Sequence, residues 1–204
     1  HSKKYLLIQT AFIGDAVLAS AQLESLILLD PLAEIHLLVR KGNETLFQQH
    51  PYLKKVWVWD KKENKYPNLW ALLKAIRLEK FDFCITLQRF AATGFLTAFS
   101  SANVTIGFSK NPFSAFFTHK VTHQLDAGLH ETERNAALLK PIFGDFTAQK
   151  PKLYPSKVDE AALRKLQDQP YVCMAPNSVW FTKQWPMHKW QELIALIPPS
   201  TAIY

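Results

Sequence analysis

The fold class is decided by residues 5–19, which read YLLIQTAFIGDAVLA. The apolar run Tyr5–Ile8 is typical of a strand that is buried on both faces of a sheet. We expect a loop over Thr10–Gly14 and then a helix, rich in Ala and Leu, over Asp15–Leu29. A buried strand that leads directly into a helix predicts the first half of a βαβ unit.

The same alternation of strands and helices continues along the chain. Asn68 is expected to cap a helix that runs through Arg77, because apolar residues recur there at helical spacing. Another helix is predicted over His130–Ile142, and a short one after Gly42. Further strands are predicted over Glu34–Val39, Val56–Trp59, Phe83–Leu87 and Val104–Gly107. The pattern predicts an α/β fold with a Rossmann-like parallel sheet that has helices on both faces.

The chain is predicted to contain two domains, over residues 1–150 and 151–204. Residues 144–156 lose periodicity and contain two prolines, which is typical of a connection between domains. After this connection we expect a helix over Val158–Leu166, a strand over Tyr171–Ala175 and a helix over Met187–Leu196. Because Thr201–Tyr204 resembles the first half of a strand, we expect the chain to be a fragment whose second domain is incomplete.

The composition favours a folded protein with an anionic partner. The 204 residues include 24 Lys and Arg against 17 Asp and Glu, which gives a net charge of +7. Such a charge suits phosphate, sugar acid, anionic lipid or nucleic acid, although it can also serve solubility alone. Cys84 and Cys173 lie in apolar runs, so we expect buried, reduced thiols rather than a disulfide framework. No run approaches the roughly 20 apolar residues of a membrane span, and a cytoplasmic protein is expected.

Asp15 is the first candidate for a catalytic residue. It follows the first strand at its carboxyl end, where open α/β sheets bind ligands. The residues allow two interpretations, an N-cap that accepts backbone N–H bonds and a general base. Gly14 would permit a tight turn or the close approach of a ligand to the backbone. The dinucleotide-binding pattern G-x-G-x-x-G does not occur here.

Residues 175–186 form the second candidate site. They read APNSVWFTKQWP and connect a predicted strand to a predicted helix. Hydroxyl groups and backbone N–H groups in such a loop can hold a phosphate, and Lys183 would add a positive charge. Pro186 suits the first turn of the following helix. An ordinary surface loop with an exposed lysine explains the same residues.

Two further features permit both a functional and a structural interpretation. Residues 130–135, HETERN, place His130 and Arg134 on one helical face, but they also describe a capped, solvated helix start. Basic residues such as Lys61 and Lys62 follow a predicted strand and could collect an anionic ligand. No cysteine pair has the spacing of a zinc site, and no Ser-His-Asp set can be named.

Three segments together resemble glycosyltransferase family 9, the ADP-heptose:lipopolysaccharide heptosyltransferases. The segments are LIQTAFIGDAVLA at residues 7–19, HETERN with Leu138 and Leu139 from residue 130, and APNSVWFTKQWP with Trp190 from residue 175. They occur in the order and near the spacing of the family. The loop Pro176–Ser178 departs from the family, in which Gly-Ala or paired threonines are common.

The resemblance implies a GT-B architecture, in which two Rossmann-like domains face a cleft. The acceptor is expected on the first domain and the nucleotide-sugar on the second. Asp15 matches the aspartate proposed as the family's catalytic base, and Lys183 matches the lysine that contacts the donor phosphates. Ser178 and Thr182 match the hydroxyl positions that precede this lysine. We expect the anionic acceptor to contact Gly14, Lys61, Lys62, Arg89 and Lys110.

The resemblance also implies the reaction, an inverting transfer of heptose from ADP-heptose to the lipid A-linked inner core of lipopolysaccharide. No cofactor, metal ion or nucleic acid is expected, and contact with the inner face of the bacterial inner membrane would be peripheral. Because the family's D-x-G-x-x-H motif would lie beyond Tyr204, the fragment alone is expected to be inactive. The alternatives are a glycosyltransferase of the same fold with another nucleotide-sugar or glycan acceptor, and a non-catalytic module that binds an anionic glycan.

Overall fold

The computed structural model describes residues 2–124, 128–164, 166–178 and 180–204. The chain divides into two compact units, His1–Tyr154 and Pro155–Tyr204. No helix among the described residues is both long and apolar enough to cross a membrane.

Unit 1 is built on a parallel sheet of six strands. The strands are β1 (Lys4–Gln9), β2 (Glu34–Arg40), β3 (Leu53–Trp59), β4 (Phe83–Thr86), β5 (Val104–Phe108) and β6 (His119–Val121). Their order across the sheet is β3-β2-β1-β4-β5-β6. The order reverses between β1 and β4, so these two neighbours form the switch point at which doubly wound sheets bind ligands.

Helices cover both faces of this sheet, and side chains of β1 alternate between the two resulting cores. Tyr5 and Leu7 pack with Leu23 of α1 (Ile13–Leu29) on one face, whereas Leu6 and Ile8 pack with Leu73 of α2 (Lys65–Glu79) on the other. The helices of unit 1 are α1 (Ile13–Leu29), α2 (Lys65–Glu79), α3 (Ala91–Ala98), α4 (Glu131–Ala136) and α5 (Lys140–Phe143). The predicted parallel sheet with helices on both faces is therefore confirmed.

Unit 2 contains two short α-helices and two short strands among its described residues. They are α6 (Lys157–Arg164), β7 (Tyr171–Val172), α7 (Met187–Ala195) and β8 (Ala202–Ile203), and the two strands pair in parallel. The prediction that Cys173 is buried is wrong, because its side chain is exposed, whereas Cys84 is buried. Among the described residues of unit 2 the sheet has only two strands, so an apolar side chain on it has little to pack against.

The start of α2 differs from its prediction. The helix begins at Lys65, and its N-cap is Asn64 in a left-handed conformation, not Asn68. The Asn68 side chain instead donates to the carbonyl oxygens of Asp60 and Glu63, at 3.4 and 2.8 Å. These bonds hold the preceding loop against the helix. The helix therefore begins about one turn earlier than predicted.

The single helix predicted over His130–Ile142 is two helices, α4 and α5. Between them Leu138 and Leu139 donate to carbonyl groups three residues back, as in a 3₁₀ turn. Pro141 stands at the start of α5 and has no backbone N–H, so a continuous α-helical ladder cannot pass through it.

Two elements of unit 1 are not predicted by the sequence patterns. Helix α3 reads AATGFLTA, which is apolar on nearly every side and has no helical period. Strand β6 has only three residues, and two of them are exposed. Its partner β5, by contrast, agrees with its prediction within one residue.

Candidate functional site

A pocket of about 760 Å³ opens at the carboxyl ends of β1 and β4 in unit 1. It is lined by Gln9, Thr10, Ala11, Phe12, Asp15, Leu18, Arg40, Lys61, Leu87, Gln88, Arg89, Phe90, His123 and Glu131. Three of the predicted site residues, Asp15, Lys61 and Arg89, therefore meet in one concavity at the switch point of the sheet.

Glutamine side chains hold the N–H groups of the loop that precedes α1. The Oε1 atom of Gln88 accepts hydrogen bonds from the Thr10 N–H at 2.9 Å and from the Thr10 hydroxyl at 2.8 Å. The Oε1 atom of Gln9 accepts from the N–H of Ala11 at 3.2 Å. Because Gln88 follows β4 and Gln9 ends β1, the two strands on either side of the switch point fix the loop.

Two other side chains hold the carbonyl groups of the same loop. The Lys61 ammonium donates to the Thr10 oxygen at 2.6 Å, and the Asn43 amide donates to the Ala11 oxygen at 3.1 Å. Both donors come from segments that follow the neighbouring strands β2 and β3. The loop is thus fixed through its N–H and its carbonyl groups, which sets the position at which α1 begins.

Asp15 is the third residue of α1 and is half-buried in the pocket wall. The N-cap of this helix is Phe12, which makes no side-chain capping hydrogen bond. The interpretation of Asp15 as the N-cap residue is therefore wrong. A carboxylate placed on the first turn and lining a pocket can accept a proton from a bound hydroxyl group.

Cationic side chains surround this carboxylate. Burial, together with the charges of Arg40 and Lys65, lowers the pKa of Lys61 to about 8. The Lys61 ammonium lies 4.8 Å from the ring centroid of Trp59, and the Arg40 guanidinium lies 5.0 Å from that of Phe12. With three cations and two carboxylates in its lining, the pocket carries a net positive charge suited to an anionic ligand.

Gln88 and His123 are buried pocket residues that sequence reasoning missed. They are 5% and 6% exposed, and Gln88 Nε2 and His123 Nδ1 have no hydrogen-bond partner among the described residues. Burial and the nearby Arg89 lower the pKa of His123, which favours its neutral form. The position of Gln88 just after a buried strand could have indicated it, but His123 follows the unpredicted strand β6.

The remaining predicted acceptor residues lie in different places. Gly14 is in the first turn of α1 without a positive φ, so no tight turn requires it there. A Cβ atom at Gly14 would meet nothing within 4 Å, which leaves space for a ligand. Lys62 and Lys110 are exposed and do not line the pocket.

The start of α4 forms a capping box. His130 Nδ1 accepts from the N–H of Thr132 at 3.3 Å, and Glu133 accepts from the N–H of His130 at 2.7 Å. Arg134 pairs with Glu131 at 2.5 Å, so this pocket carboxylate has a cationic partner that does not line the pocket. The capped helix start is confirmed, but it is only partly solvated because Thr132 and Asn135 are buried.

The predicted donor residues of unit 2 lie on an exposed loop. Lys183 and Thr182 belong to the single 3₁₀ turn Phe181–Lys183 and are exposed. The hydroxyl of Ser178 accepts from the N–H of Trp180 at 3.2 Å. Pro186 is the N-cap of α7, one position before the first turn in which it was expected.

Unit 2 also has an apolar pocket of about 690 Å³. Its walls include the rings of Trp185 and Trp190, whose centroids lie 5.1 Å apart. Ser178, Thr182 and Lys183 are not part of its lining. Within the described parts of both units, no group of three or more His, Cys, Asp or Glu side chains could hold a metal ion.

Comparison with protein families gives one match. Residues 69–199 match the family described as glycosyltransferase family 9 (heptosyltransferase). The matched region covers more than half of the 204 residues and includes segments of both units. No curated protein sequence matches the chain.

Solved structures of similar fold cover 98% of the chain. They include a family 9 glycosyl transferase from Veillonella parvula (TM-score 0.81, 16% identity), the E. coli heptosyltransferase WaaC with ADP (0.71, 19%) and the E. coli ADP-heptose lps heptosyltransferase II (0.79, 17%). The chain spans 69%, 66% and 63% of the lengths of these three chains, respectively. At these identities the likeness shows the fold, and it confirms the predicted fold class.

Proposed function

The chain belongs to glycosyltransferase family 9, and on that basis we propose that the protein transfers heptose from ADP-heptose to an anionic acceptor, the lipid A-linked inner core of lipopolysaccharide. The observation that carries the proposal is the pocket of unit 1, in which the Asp15 carboxylate is accompanied by Arg40, Lys61 and Arg89. An acceptor that bears hydroxyl and phosphate groups requires a base for its hydroxyl group and positively charged side chains for its phosphates.

Asp15 is proposed to act as the general base. Its carboxylate takes the proton from one acceptor hydroxyl, and the oxygen then attacks the anomeric carbon of the heptose. A carbon–oxygen bond forms to the acceptor while the bond to the ADP phosphate breaks, and the electron pair leaves with ADP. Attack from the side opposite to ADP inverts the anomeric configuration. The fixed loop before α1 supports this role, because it orients the first turn of the helix before the acceptor binds.

The donor is proposed to bind unit 2. Lys183 would offset the negative charge that builds up on the departing diphosphate, and Ser178 and Thr182 would donate hydrogen bonds to it. The exposure of Lys183 and Thr182 leaves them accessible to a nucleotide. That E. coli WaaC is described with ADP and with an ADP-fluoro-heptose supports an adenine nucleotide-sugar as donor. On this proposal unit 1 is the acceptor domain, unit 2 belongs to the donor domain, and no cofactor is needed.

The acceptor is proposed to bind at the pocket of unit 1 through its anionic groups. Lys61 and Arg89 line the pocket and would contact them directly, whereas Lys62 and Lys110 would act from the surrounding surface. Since the acceptor is anchored in lipid, the reaction would take place at the cytoplasmic face of the inner membrane, with the protein in peripheral contact.

Mass spectrometry of products from the full-length protein tests the proposed reaction. Lipid A–inner core acceptor is supplied with ADP-heptose, ADP-glucose, UDP-glucose or UDP-N-acetylglucosamine in separate reactions. We expect product from ADP-heptose alone. Product only from another donor would assign a different glycosyltransferase, and donor binding without any product would indicate a non-catalytic binding module.

A further inference from the structure

Five aromatic rings form a continuous cluster on the outside of unit 1. This aromatic surface consists of Trp70, Phe95, Phe99, Phe113 and Phe116. Ring centroids lie 5.2 Å apart for Trp70 and Phe95, 5.2 Å for Phe95 and Phe99, and 5.6 Å for Phe99 and Phe116. Phe113 lies within 6.0 Å of both Phe95 and Phe99. Trp70 and Phe116 are each 62% exposed.

The two most exposed rings, Trp70 and Phe116, are not part of the core of unit 1, whereas Phe95 packs against it. Helix α2 buries Leu69, Leu73 and Ile76 against the sheet, and α3 buries Leu96. Trp70 points away from that buried stripe, since it is exposed although it adjoins Leu69. A contiguous exposed apolar patch on a folded unit usually marks a binding surface.

Cations outnumber carboxylates in the segments that carry the aromatic surface, and the one carboxylate of α2, Glu79, lies at the end of the helix and pairs with Lys4 and Lys55. Residues 64–78 and 83–125 include no Asp or Glu. Lys74 lies one helical turn after Trp70, and exposed Lys110 precedes Phe113 by three residues. Arg77 donates to the hydroxyl of Ser101 at 3.0 Å, which holds it beside the end of α3. The charge around the rings is thus positive and complements an anionic surface.

The aromatic surface is linked to the mouth of the pocket. Exposed Phe90 lines the pocket and is the N-cap of α3, whereas Phe99 is the C-cap of this helix, about 14 Å further along. The Asn111 side chain donates to the carbonyl oxygens of Gln88 and Phe90, at 3.2 and 3.1 Å. The loop that carries Phe113 and Phe116 is therefore fixed to two residues of the pocket wall.

We propose that the aromatic surface docks unit 1 onto a bilayer that contains anionic lipids. Trp and Phe rings enter the region between lipid head groups and acyl chains, while lysine and arginine side chains beside them attract the anionic head groups. Docking of this kind would present the pocket to an acceptor that is anchored in the same bilayer. In this respect the inference extends the proposed function, although the docking can be measured without any turnover.

Cosedimentation of the full-length protein with vesicles tests the proposal. We expect binding to phosphatidylglycerol/phosphatidylethanolamine vesicles and much weaker binding to phosphatidylcholine alone. The double variant W70S/F116S should bind the anionic vesicles at least ~10-fold more weakly, because two large apolar side chains are lost. The double variant K74Q/K110Q should lose about fivefold in affinity for each lysine, and salt should weaken the binding of the wild type.

The double variant L32S/Y52S is the matched control. Leu32 and Tyr52 are 79% and 54% exposed, and they precede β2 and β3 at the edge of the sheet opposite to the pocket. The control should bind vesicles as the wild type does. An unchanged unfolding temperature for all variants shows that they are folded.

Several results would overturn the proposal. The first is a wild-type protein that does not bind anionic vesicles. The second is an equal loss of vesicle affinity in W70S/F116S and in the control. The third is an aromatic surface that mediates self-association instead of vesicle binding. Transfer to a delipidated, water-soluble acceptor separates this inference from the proposed function. Vesicle binding without transfer contradicts the proposed function alone, whereas transfer without vesicle binding contradicts the docking alone.

Discussion

At the scale of single residues, Lys61 combines a structural bond with a site charge. Its ammonium holds the Thr10 carbonyl at 2.6 Å, and its lowered pKa of about 8 means that it loses its proton between about pH 7 and 9. Over this range the loss removes both a hydrogen-bond donor of the loop and a positive charge of the pocket.

We expect the KM for the anionic acceptor to rise as the pH increases from 7 to 9, because the Lys61 ammonium is lost over this range. In Lys61→Met the KM should be high throughout and lack this rise. In Lys62→Met, the matched control, the KM can increase at every pH because Lys62 acts from the surrounding surface, but the rise from pH 7 to 9 should remain because Lys62 does not line the pocket. Initial rates at several acceptor concentrations and pH values measure the effect, and a rise that persists in Lys61→Met would refute it.

Gln88 is expected to stabilise the loop before α1. Gln88→Ala removes the acceptor for both the N–H and the hydroxyl of Thr10 and leaves these buried donors unpaired, so it should lower the free energy of unfolding by about 1–3 kcal/mol. Thr10→Val removes only the hydroxyl bond and should cost about 0.5–1.5 kcal/mol. Urea unfolding measures both values, and a larger loss in Thr10→Val than in Gln88→Ala would contradict this assignment.

The candidate site was only partly predictable from single residues. Asp15 could be located because a carboxylate that follows a buried strand must lie near the ligand-binding edge of a parallel sheet. The residues that fix it, above all Gln88 and Asn43, come from segments 28 or more positions away, and no local pattern marks them. Of the basic residues, Lys61 and Lys62 are neighbours in sequence, yet only the fold shows which one faces the pocket.

At the scale of elements, α3 depends on a close contact with the loop that follows β5. A Cβ atom on Gly94 would lie 1.9 Å from Oδ1 of Asn111. Asn111 cannot move aside without losing hydrogen bonds. Its side chain donates to the carbonyl oxygens of Gln88 and Phe90 and accepts from the N–H of Phe113.

Gly94→Ala should therefore destabilise the protein by about 1–3 kcal/mol through overpacking. Gly14→Ala is the matched control because it is also a helical glycine but has open space around it, and it should be neutral or stabilise by up to about 1 kcal/mol. Thermal or urea unfolding compares the two variants. Equal stability of both would show that the Asn111 contact is not as tight as described.

Elements with a clear hydrophobic period were predictable, and those shaped by distant contacts were not. The strands β1, β2 and β4 lie within one or two residues of their predicted bounds because their apolar runs are nearly continuous. Helix α2 starts a turn early because the Asn68 side chain binds the preceding loop, and α4 ends early because of Pro141. Such side-chain and proline effects do not alter the hydrophobic period from which helices are predicted.

At the scale of the whole molecule, the two units differ in how completely their apolar residues are packed. The six-stranded sheet of unit 1 has a core on each face, and Cys84 is fully buried there, with a thiol pKa raised to about 12 by burial. In unit 2 the described sheet has two strands, and Cys173 is exposed. Both cysteines lie in similar apolar runs of sequence. Their different exposure therefore comes from the number of layers that pack around each strand.

We expect this difference to appear in thiol reactivity. In the folded 204-residue chain Cys173 should react with 5,5′-dithiobis(2-nitrobenzoate) within minutes, whereas Cys84 should react only after unfolding, because it is shielded and protonated. Cys173→Ser should abolish the fast phase. A fast phase that remains in this variant would mean that unit 1 opens more readily than its packing indicates.

The kinetics of two carboxylate variants test whether Asp15 is the base of a glycosyl transfer. Asp15→Asn should lower kcat by about 10²–10⁴-fold and leave the Kd for the donor unchanged. Glu131→Gln is the matched control, because Glu131 lines the same pocket but is paired with Arg134, and its kcat should remain within about tenfold of the wild type. An Asp15→Asn variant that keeps the wild-type kcat, or a Glu131→Gln variant that loses as much, would contradict this role of Asp15.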